Sequence, residues 1–315
     1  MTVYTLGFDG GGTKTDCVVV NAEGSVVGEG RGGPSNPLRN GYEAAFQSLN
    51  DAAVEALSRA GIRTDKVTGI CVGLAGGSSR TVVRKMLVHF ARQFPKAITH
   101  VTTDLEIALE SAAPSGPGVV LIAGTGSAAY GRNAAGETAR SGGYGPWIGD
   151  EGSAFDIGRR AVAAVARTRD MAAPVTLLAD MIQAALGCPD WDDLVQRIAK
   201  NPHDVFPKLF SVVAEAADAN DSAAKEILFT AAIGLANLAM IVVRHLGLGD
   251  VEFPLVKCGG VFGRSKMLDA LLDSVLVSGA LRANISRMQV SPAVGAARIA
   301  AGLAETSVQT SSHGH

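Results

Sequence analysis

Near the start of the chain, an acid, three consecutive glycines, two threonines and a lysine lie between two apolar runs. This stretch, LGFDGGGTKTD, covers residues 6–16. The β-branched and aromatic residues on both sides predict the two strands of a hairpin. Backbone N–H groups in such a turn can form a nest for an anion, and hydroxyl and ammonium side chains add donors. We assign phosphate binding to Gly10, Gly11, Gly12, Thr13, Lys14 and Thr15.

Asp9 ends the first of these predicted strands. A carboxylate beside a nucleotide phosphate is suited to face the accompanying Mg²⁺, here through water. An ordinary glycine-rich hairpin with a solvated acid and lysine explains the same stretch equally well. The stretch alone therefore does not decide between the two interpretations.

A second glycine-rich turn follows an apolar strand near the middle of the chain. Residues 118–122 are predominantly apolar, and Gly124, Thr125, Gly126 and Ser127 come shortly after them. Turns of this sequence are common, but this one recurs at the same place in a repeated order of strands. Two lobes whose glycine turns face one cleft could hold a polyphosphate from both sides. The repetition therefore favours phosphate binding by both turns.

Asp104 lies between a predicted strand at 98–102 and a predicted short helix that ends at Ala112. One interpretation is a helix N-cap, for which Thr103 or Asp104 is well suited. The other is a general base that takes a proton from a hydroxyl as it attacks the γ-phosphate. Ligands collect at the carboxyl ends of strands in α/β sheets. This position favours the base.

The segment 142–153, GGYGPWIGDEGS, combines glycines, two aromatic residues and two acids before a helix predicted to begin at Asp150. Capping of the helix dipole would need only one acid. Carboxylates that accept paired hydroxyl bonds and aromatic faces are typical of sugar sites, so we expect a polyol here. Asn36, flanked by Pro34 and Pro37, is a further candidate partner for hydroxyl or amide groups, although a turn residue is the simpler interpretation.

Gly259 and Gly260 follow a predicted strand at 253–258 and precede a predicted helix from Ser265. A flat ring and a ribose can lie against backbone at such a place. Close packing of the strand against the helix explains the two glycines nearly as well.

The elements that would position these residues repeat in two halves. Each half is predicted to be βββαβαβα, and a proline-broken helical insertion at 172–211 interrupts the second half. Strands alternating with helices indicate an α/β fold with two similar lobes. The predicted ranges are 1–116 for the N-terminal lobe, 117–291 for the C-terminal lobe, 292–304 for a last helix and 305–315 for a flexible tail.

Composition limits the function classes. The chain is 47% hydrophobic and 18% charged, which is typical of a packed globular protein. A net charge of −2 with scattered basic residues gives no electrostatic footprint for nucleic acid. The longest apolar stretch, 231–243, is short for a membrane span and predicts a buried helix.

We expect a cytoplasmic protein without membrane partners, since the first residues do not have the pattern of a secretory signal. The wide separation of the four cysteines favours neither a zinc site nor a disulfide framework. These cysteines are Cys17, Cys71, Cys188 and Cys258.

Together, these motifs resemble the N-acetylglucosamine kinase family, within the superfamily of sugar kinases, actin and heat-shock ATPases. The resemblance covers nearly the whole chain in the right order. GDEGSA at 149–154, combined with the two glycine turns, is its most specific part. The other matching motifs are PSN at 34–36, GLAGG at 73–77, TTD at 102–104, GGYGPWI at 142–148 and GGVF at 259–262.

This resemblance implies two ribonuclease-H-like lobes, a last helix that returns to the first lobe, and a homodimer. It further implies ATP with Mg²⁺ as cofactors, and transfer of the γ-phosphate to the 6-hydroxyl of an amino sugar with Asp104 as base. The adenosine would lie near Gly259 and Gly260. The residues that the resemblance assigns to the sugar are Asn36, Asp104, Gly143, Tyr144 and Asp150.

Two positions depart from the family pattern, because Ala75 replaces a common serine and Tyr144 a common tryptophan. Both departures weaken the assignment of N-acetylglucosamine as the sugar. Kinases for glucosamine, N-acetylmuramate, glucose or mannose share these motifs. The same branch contains activator ATPases of acyl-CoA reductases and dehydratases, in which cysteines of two subunits hold an iron–sulfur cluster. The cysteines of this chain do not cluster in sequence. A noncatalytic nucleotide sensor would be expected to lack the base, but Asp104 is present.

Overall fold

The computed structural model describes residues 3–280 and 282–312, with side chains described as far as Glu305. Its strands are β1 Tyr4–Gly10, β2 Thr15–Asn21, β3 Val26–Gly32, β4 Val67–Leu74, β5 Ile98–Thr103, β6 Gly118–Ala123, β7 Ser127–Arg132, β8 Thr138–Gly142, β9 Phe253–Cys258 and β10 Ala283–Arg287. Its α-helices are α1 Pro37–Asn40, α2 Tyr42–Ala60, α3 Arg80–Gln93, α4 Asp104–Ala112, α5 Ala154–Arg169, α6 Leu178–Leu186, α7 Trp191–Lys200, α8 Pro202–Val205, α9 Leu209–Asp218, α10 Ser222–His245, α11 Lys266–Gly279 and α12 Pro292–Ser312.

The described residues form two compact units. The first comprises the chain up to Ser115 together with the chain from Gln289 onward, and the second comprises Gly116–Met288. The second unit is thus one uninterrupted run of sequence, whereas the first is made of two separated pieces.

The two units have the same sheet topology. The first sheet has the order β3-β2-β1-β4-β5 and the second the order β8-β7-β6-β9-β10. In each sheet the first three strands are antiparallel and the last two run parallel to the first. Parallel strands need helical crossovers, which α2 and α3 supply in the first unit. The predicted α/β fold of two ribonuclease-H-like lobes is confirmed.

Alternation along β1 determines how helices cover the first sheet, because successive residues face opposite sides. Leu6 and Phe8 are fully buried in the core formed with α2 and α3. Gly7 faces the other side, where α12 approaches so closely that a Cβ at this position would lie 2.0 Å from the Ala293 carbonyl oxygen. Only glycine allows this approach.

The core of the second unit includes α5, α9 and α10 packed against β6. By length and composition alone, α10 is long and apolar enough to cross a membrane. This differs from the expectation based on the shorter apolar stretch at 231–243. In the structure, Leu235, Ala239 and Val242 of α10 are fully buried in the core of the second unit.

Helix α5 begins later than the sequence predicts, at Ala154 instead of Asp150. Asp150 and Gly152 have φ angles of 62° and 73°, which a right-handed helix does not accommodate. Ser153 provides the N-cap, because its hydroxyl accepts a hydrogen bond from the Asp156 N–H.

Two other boundaries differ from the sequence prediction, and one short helix was missed. The sequence predicts the last strand at 283–290, whereas in the structure it ends at Arg287. Helix α12 continues to Ser312, through most of the range predicted as a flexible tail, and residues 313–315 lie outside the described part. The short helix α1 was not predicted.

Helix α3 departs from the expected scatter of basic residues. Arg80, Arg84, Lys85 and Arg92 are exposed and line a surface pocket of roughly 590 Å³, with Phe46 of α2 at its side. Positions 80, 84 and 92 lie on one face because four residues make about one helical turn. Among the described residues, these four cations form no ion pair.

Candidate active-site residues

The first glycine turn connects β1 to β2, with Gly10 paired to Thr15 across the hairpin. None of its three glycines has a positive φ angle, so backbone conformation does not explain them. Gly10 is required by packing, because a Cβ there would lie 2.3 Å from Leu74 and 2.5 Å from the Ser35 hydroxyl. A Cβ on Gly11 or Gly12 would come no nearer than 3.5 Å to another atom, so space is open at both.

Thr15 has a different position from the one that a phosphate donor would need. Its side chain is buried, and its hydroxyl is 2.7 Å from both the Gly33 carbonyl oxygen and the Ser35 hydroxyl. The Ser35 N–H in turn donates to the Gly11 carbonyl oxygen at 3.0 Å. Through these hydrogen bonds, Thr15 and Ser35 connect the turn to the loop after β3.

The remaining side chains of the turn point outward. Thr13 and Lys14 are exposed, and the Lys14 ammonium group forms an ion pair with Asp16. Arg31 lies 3.5 Å from the same carboxylate. Lys14 is thus at the surface of the turn, where Asp16 offsets part of its charge.

Asp9 carries an unusual charge environment at the end of β1. Burial, followed by the negative charges of Asp104 and Asp16, raises its pKa to about 7, and Lys14 only partly opposes this. The negative charges of neighbouring carboxylates make an ionised Asp9 costly without a cation. The arrangement therefore suits a divalent cation, whose charge would offset theirs.

Asp104 is the first residue of α4, one position after the N-cap. The cap is Thr103, whose hydroxyl accepts a hydrogen bond from the Glu106 N–H at 3.2 Å. The Asp104 carboxylate accepts one from the Leu105 N–H at 3.1 Å. The capping alternative thus belongs to Thr103, and Asp104 is half-buried at the carboxyl end of β5, in the electrostatic field of Asp9.

Asn36 caps α1, because its side-chain oxygen accepts hydrogen bonds from the N–H groups of Leu38 and Arg39 at 3.0 and 3.3 Å. Its amide nitrogen is the group that can still serve a ligand. The short helix also brings Arg39 to the glycine turn, where a Cβ on Gly12 would be 3.5 Å from the Arg39 Nη1.

In the second unit, the turn after β6 is tied to the start of α5. The Gly124 carbonyl oxygen accepts a hydrogen bond from the Ala154 N–H at 2.9 Å. The Ser127 hydroxyl donates to the Glu151 carbonyl oxygen at 2.7 Å. Thr125 remains partly exposed, and a Cβ on Gly124 would meet no atom within 4 Å.

Asp150 lies directly against this second turn. It is buried, and its carboxylate accepts a hydrogen bond from the Ser127 N–H at 3.3 Å. A Cβ on Gly126 would be 2.7 Å from the other carboxylate oxygen. Burial raises the pKa of Asp150, and the negative charge of Glu151 raises it further. Hydrogen bonding by the Ser127 and Gly145 N–H groups lowers it.

Arg140 contacts the segment that precedes Asp150. Its guanidinium donates hydrogen bonds to the carbonyl oxygens of Gly142 and Gly143 and lies 5.6 Å from the Tyr144 ring centre. Both glycines have φ angles above 70°. Tyr144 is 65% exposed, so its ring and hydroxyl are accessible.

Gly259 and Gly260 follow β9 beside the end of β6. Gly259 has a φ angle of 114°, and a Cβ there would lie 2.3 Å from the Ala123 carbonyl oxygen, so close packing explains this glycine. The Val261 N–H donates to the same oxygen at 3.0 Å. A Cβ on Gly260 would meet nothing within 4 Å, which leaves open backbone beside the second turn.

These features fit a nucleotide and its metal ion. In the first unit, the open surfaces at Gly11 and Gly12 leave room for phosphate oxygens. In the second unit, the surface at Gly124 is open in the same way. Among the described residues, no group of three or more His, Cys, Asp or Glu could hold a metal, so a Mg²⁺ ion at Asp9 would need water and phosphate oxygens as its other ligands.

Four residues near these groups were not identified from the sequence. Asp16 is signalled by the hairpin, since it pairs with Asp9 across it. Ser35 comes from the loop after β3, and its contact with Thr15 is visible only in the fold. The contacts of Arg39 and Arg140 depend on local backbone geometry, which no sequence pattern reveals.

Comparisons with known proteins agree over almost the full length of the chain. An N-acetylmuramic acid/N-acetylglucosamine kinase of Clostridium acetobutylicum is 32% identical over 302 residues, covering 94% of this chain and 98% of that protein. An N-acetyl-D-glucosamine kinase of Dictyostelium discoideum is 30% identical over 316 residues, covering 94% and 97%.

A solved structure from Chromobacterium violaceum, described as a candidate N-acetylglucosamine kinase, is 26% identical and superposes with a TM-score of 0.74. It covers 95% of this chain and 98% of its own. The model of the BadF/BadG/BcrA/BcrD ATPase family matches residues 6–300. With this match over nearly the whole chain, the protein belongs to the BadF/BadG/BcrA/BcrD ATPase family.

Proposed function

We propose that this protein is an ATP-dependent amino-sugar kinase that phosphorylates the 6-hydroxyl of N-acetylglucosamine. The observation that carries the proposal is full-length similarity, at 32% and 30% identity, to two kinases named for N-acetylglucosamine. The retained Asp104 and the two glycine turns support a catalytic member of the family. The chain is accordingly a phosphotransferase with a sugar alcohol as acceptor.

Most of the catalytic effect would come from positioning and charge. Bound ATP would supply the phosphoryl group, and Mg²⁺ held through water by Asp9 would neutralise its negative charge. The backbone of Gly10, Gly11 and Gly12, with Thr13 and Lys14, would bind phosphate oxygens in the first unit. In the second unit, the turn from Gly124 to Gly126 would do the same, whereas the Ser127 N–H and hydroxyl already donate to Asp150 and Glu151. Gly259 and Gly260 would adjoin the adenosine.

Asp104 would act as the general base. A half-buried carboxylate at the carboxyl end of β5 can accept the proton of the acceptor hydroxyl, which raises its nucleophilicity as the bond to phosphorus forms. The charge of Asp104 is one of the causes that raise the pKa of Asp9, so a metal ion at Asp9 would also offset the repulsion between the two carboxylates.

The acceptor would donate hydrogen bonds from its hydroxyl groups to the carboxylates of Asp104 and Asp150, and it would also bond to Asn36, the Gly143 backbone and Tyr144. The accessible Tyr144 ring provides a flat face of the kind on which sugars pack. Resemblance alone supports a cytoplasmic homodimer, and analytical ultracentrifugation would test the dimer.

The test is an ADP-release assay with a panel of acceptors. N-acetylglucosamine should stimulate release most, ahead of glucosamine, N-acetylmuramate, N-acetylmannosamine and glucose. Asp104→Asn should lower sugar-stimulated turnover by about 10³-fold, while nucleotide affinity changes little. Asp51→Asn, at an exposed position on α2, is the matched control and should retain activity. Turnover within tenfold of wild type in the Asp104 variant would remove it as the base.

A second candidate function is an activator ATPase, since the family name includes such proteins. Such a protein must present cysteines at its surface to share a cluster with a second subunit. Cys17, Cys71 and Cys188 are buried, and only Cys258 is partly exposed. Absence of stimulation by any sugar, together with a coloured iron–sulfur protein after anaerobic purification, would favour the activator over the kinase.

A further inference from the structure

Helix α3 carries positive charge that no acid on the same helix offsets. Its sequence, RTVVRKMLVHFARQ, contains three arginines and one lysine and neither aspartate nor glutamate. Arg80 and Arg84 are four residues apart, so two like charges repel each other on one face of the helix. The fold therefore keeps these cations at a small cost in helix stability.

Other exposed arginines of the first unit face a carboxylate. Arg59 lies 2.5 Å from Glu55, and Arg63 lies 3.1 Å from Asp65. On α3, by contrast, no carboxylate of the described chain lies within ion-pair distance of Arg80, Arg84, Lys85 or Arg92. The charge of α3 is therefore available to a ligand.

The four cations of α3 border a cavity. Its volume of about 590 Å³ is within the range typical of small-molecule sites. Val88 and His89 of the same helix also line the cavity, and Phe46 of α2 lies at its side. Charge and apolar surface thus meet in one concave place.

The side of the cavity next to α2 is a flat aromatic wall. The Phe46 ring stacks on the His89 ring, with centres 4.1 Å apart and planes inclined by 3°. The His89 Nε2 lies 2.8 Å from the Asn50 side-chain oxygen, which can only accept, so this nitrogen carries the proton. The Lys85 ammonium group lies 3.7 Å from the centre of the Tyr42 ring. These contacts hold the wall in place.

A small molecule that carries phosphate suits this combination. Guanidinium groups bind phosphate through paired N–H donors, and an ammonium group adds a point charge. The aromatic wall suits a ring or an apolar part of the same ligand. A second copy docked symmetrically through this face would bring cations against cations, which is unfavourable.

We propose that the α3 cavity binds a small molecule with one or more phosphate groups, held by the arginines of α3 beside the Phe46 and His89 rings. The cavity is additional to the proposed kinase function, because none of its residues is assigned to the nucleotide or to the acceptor. A bound phosphate would supply the counter-charge that the protein itself does not give to α3.

Inorganic pyrophosphate is the probe, added to the full chain in the absence of nucleotide and Mg²⁺. NMR follows the His89 ring, and His89→Gln assigns its signals. Burial, and then the charge of Arg92, hold the pKa of His89 below its usual value of 6.5. A bound anion favours a second proton on the ring, so pyrophosphate should raise this pKa. Sodium chloride at the same ionic strength should raise it much less.

A pair of double variants tests the arginines. Arg84→Gln with Arg92→Gln removes two charges from the cavity. Arg59→Gln with Arg63→Gln removes two exposed charges elsewhere in the first unit and is the matched control. The dissociation constant read from the His89 signals should rise at least about tenfold in the first variant and less than about twofold in the control.

Three results would overturn the proposal. The first is an unchanged His89 ring in the presence of pyrophosphate. The second is an equal loss of affinity in the two double variants, since overall charge would then explain the binding. The third is tighter binding of a glutamate-rich peptide than of pyrophosphate, which would assign the cavity to an acidic protein. Because these readouts do not use turnover, failure of sugar-stimulated ADP release would overturn the kinase function alone.

Discussion

Asp9, Asp16 and Asp104 place negative charge around a single point of the first unit. The fold accepts this arrangement by holding Asp9 at a pKa of about 7, so that it is partly protonated when no cation is present. Repulsion among these carboxylates destabilises the folded protein without a cation. A divalent cation bound beside them would offset that repulsion. At the residue scale, the ionised form of Asp9 in the candidate site therefore lowers the stability of the folded protein.

This cost predicts a distinctive pH dependence of folding in metal-free buffer. The folded-state pKa of Asp9 lies above its usual value of 3.8, so the folded chain binds a proton more tightly than the unfolded chain. Between pH 5 and pH 8 the wild type should lose about 2 kcal/mol of stability relative to Asp9→Asn. Urea unfolding of both proteins at several pH values measures the difference. Parallel curves for the two proteins would contradict the prediction.

Sequence reasoning reached some residues of the site and not others, for identifiable reasons. Asp104 could be located because a strand-to-helix boundary is visible in the pattern of apolar residues. The burial of Thr15 could not, because it depends on Ser35, which approaches from the loop after the next strand. The position of Asp150 depends on a left-handed backbone angle, and sequence patterns for helix starts predicted a helix there instead.

At the scale of elements, the sheet of the first unit depends on how closely α12 can approach β1. The strand itself was predicted from its β-branched and aromatic residues, but the close contact at Gly7 was not, since its partner Ala293 is far away in the chain. The same limitation applies to α3, whose basic residues look scattered in sequence and line up only on a helix.

Gly7→Ala should destabilise the protein strongly. The new methyl group would lie 2.0 Å from the Ala293 carbonyl oxygen and 2.4 Å from the Ala297 nitrogen, both backbone atoms that cannot turn away. We expect a loss of about 3 kcal/mol in the free energy of unfolding. Gly302→Ala within α12 is the control, because a Cβ there meets no atom within 4 Å, and it should be neutral or slightly stabilising. Similar stabilities for the two variants in urea unfolding would contradict the packing explanation.

Helix α3 should be stabilised by reversing one of its charges. Arg84 lies four residues after Arg80 on the same exposed face, so Arg84→Glu replaces a repulsive pair by an attractive one. Unfolding at low salt should show a gain of about 0.5 kcal/mol, which disappears at high salt. Arg59→Glu on α2 should have the opposite effect, since Arg59 already pairs with Glu55. A loss of stability in both variants would show that Arg84 has an unrecognised partner.

At the scale of the whole molecule, the duplicated order of strands was predictable because each half repeats the same local signals. The place of the last helix in the first unit depends on contacts that are distant in sequence, so only the resemblance to a known family indicated it. The extension of α12 to Ser312 was missed because serine and threonine near a terminus usually indicate fraying.

Separate hydrophobic cores predict separate unfolding transitions. Ala297→Leu overfills the fully buried contact between α12 and the first sheet, and should lower the melting temperature of one transition by several degrees. Leu235→Ala opens a cavity in the core of the second unit and should lower the other transition. Differential scanning calorimetry distinguishes the two effects. A single transition that both variants shift equally would mean that the two cores unfold together.

The division of the first unit into two pieces also has a consequence for synthesis on the ribosome. Residues up to Ser115 are translated before Gly116–Met288, and α12, which covers the Gly7 side of their sheet, is translated after it. Gly116–Met288 emerges as one continuous run and can complete its core first. The nascent first sheet must therefore wait with its Gly7 side uncovered until α12 has been synthesised, so we expect it to be the later of the two units to complete its core.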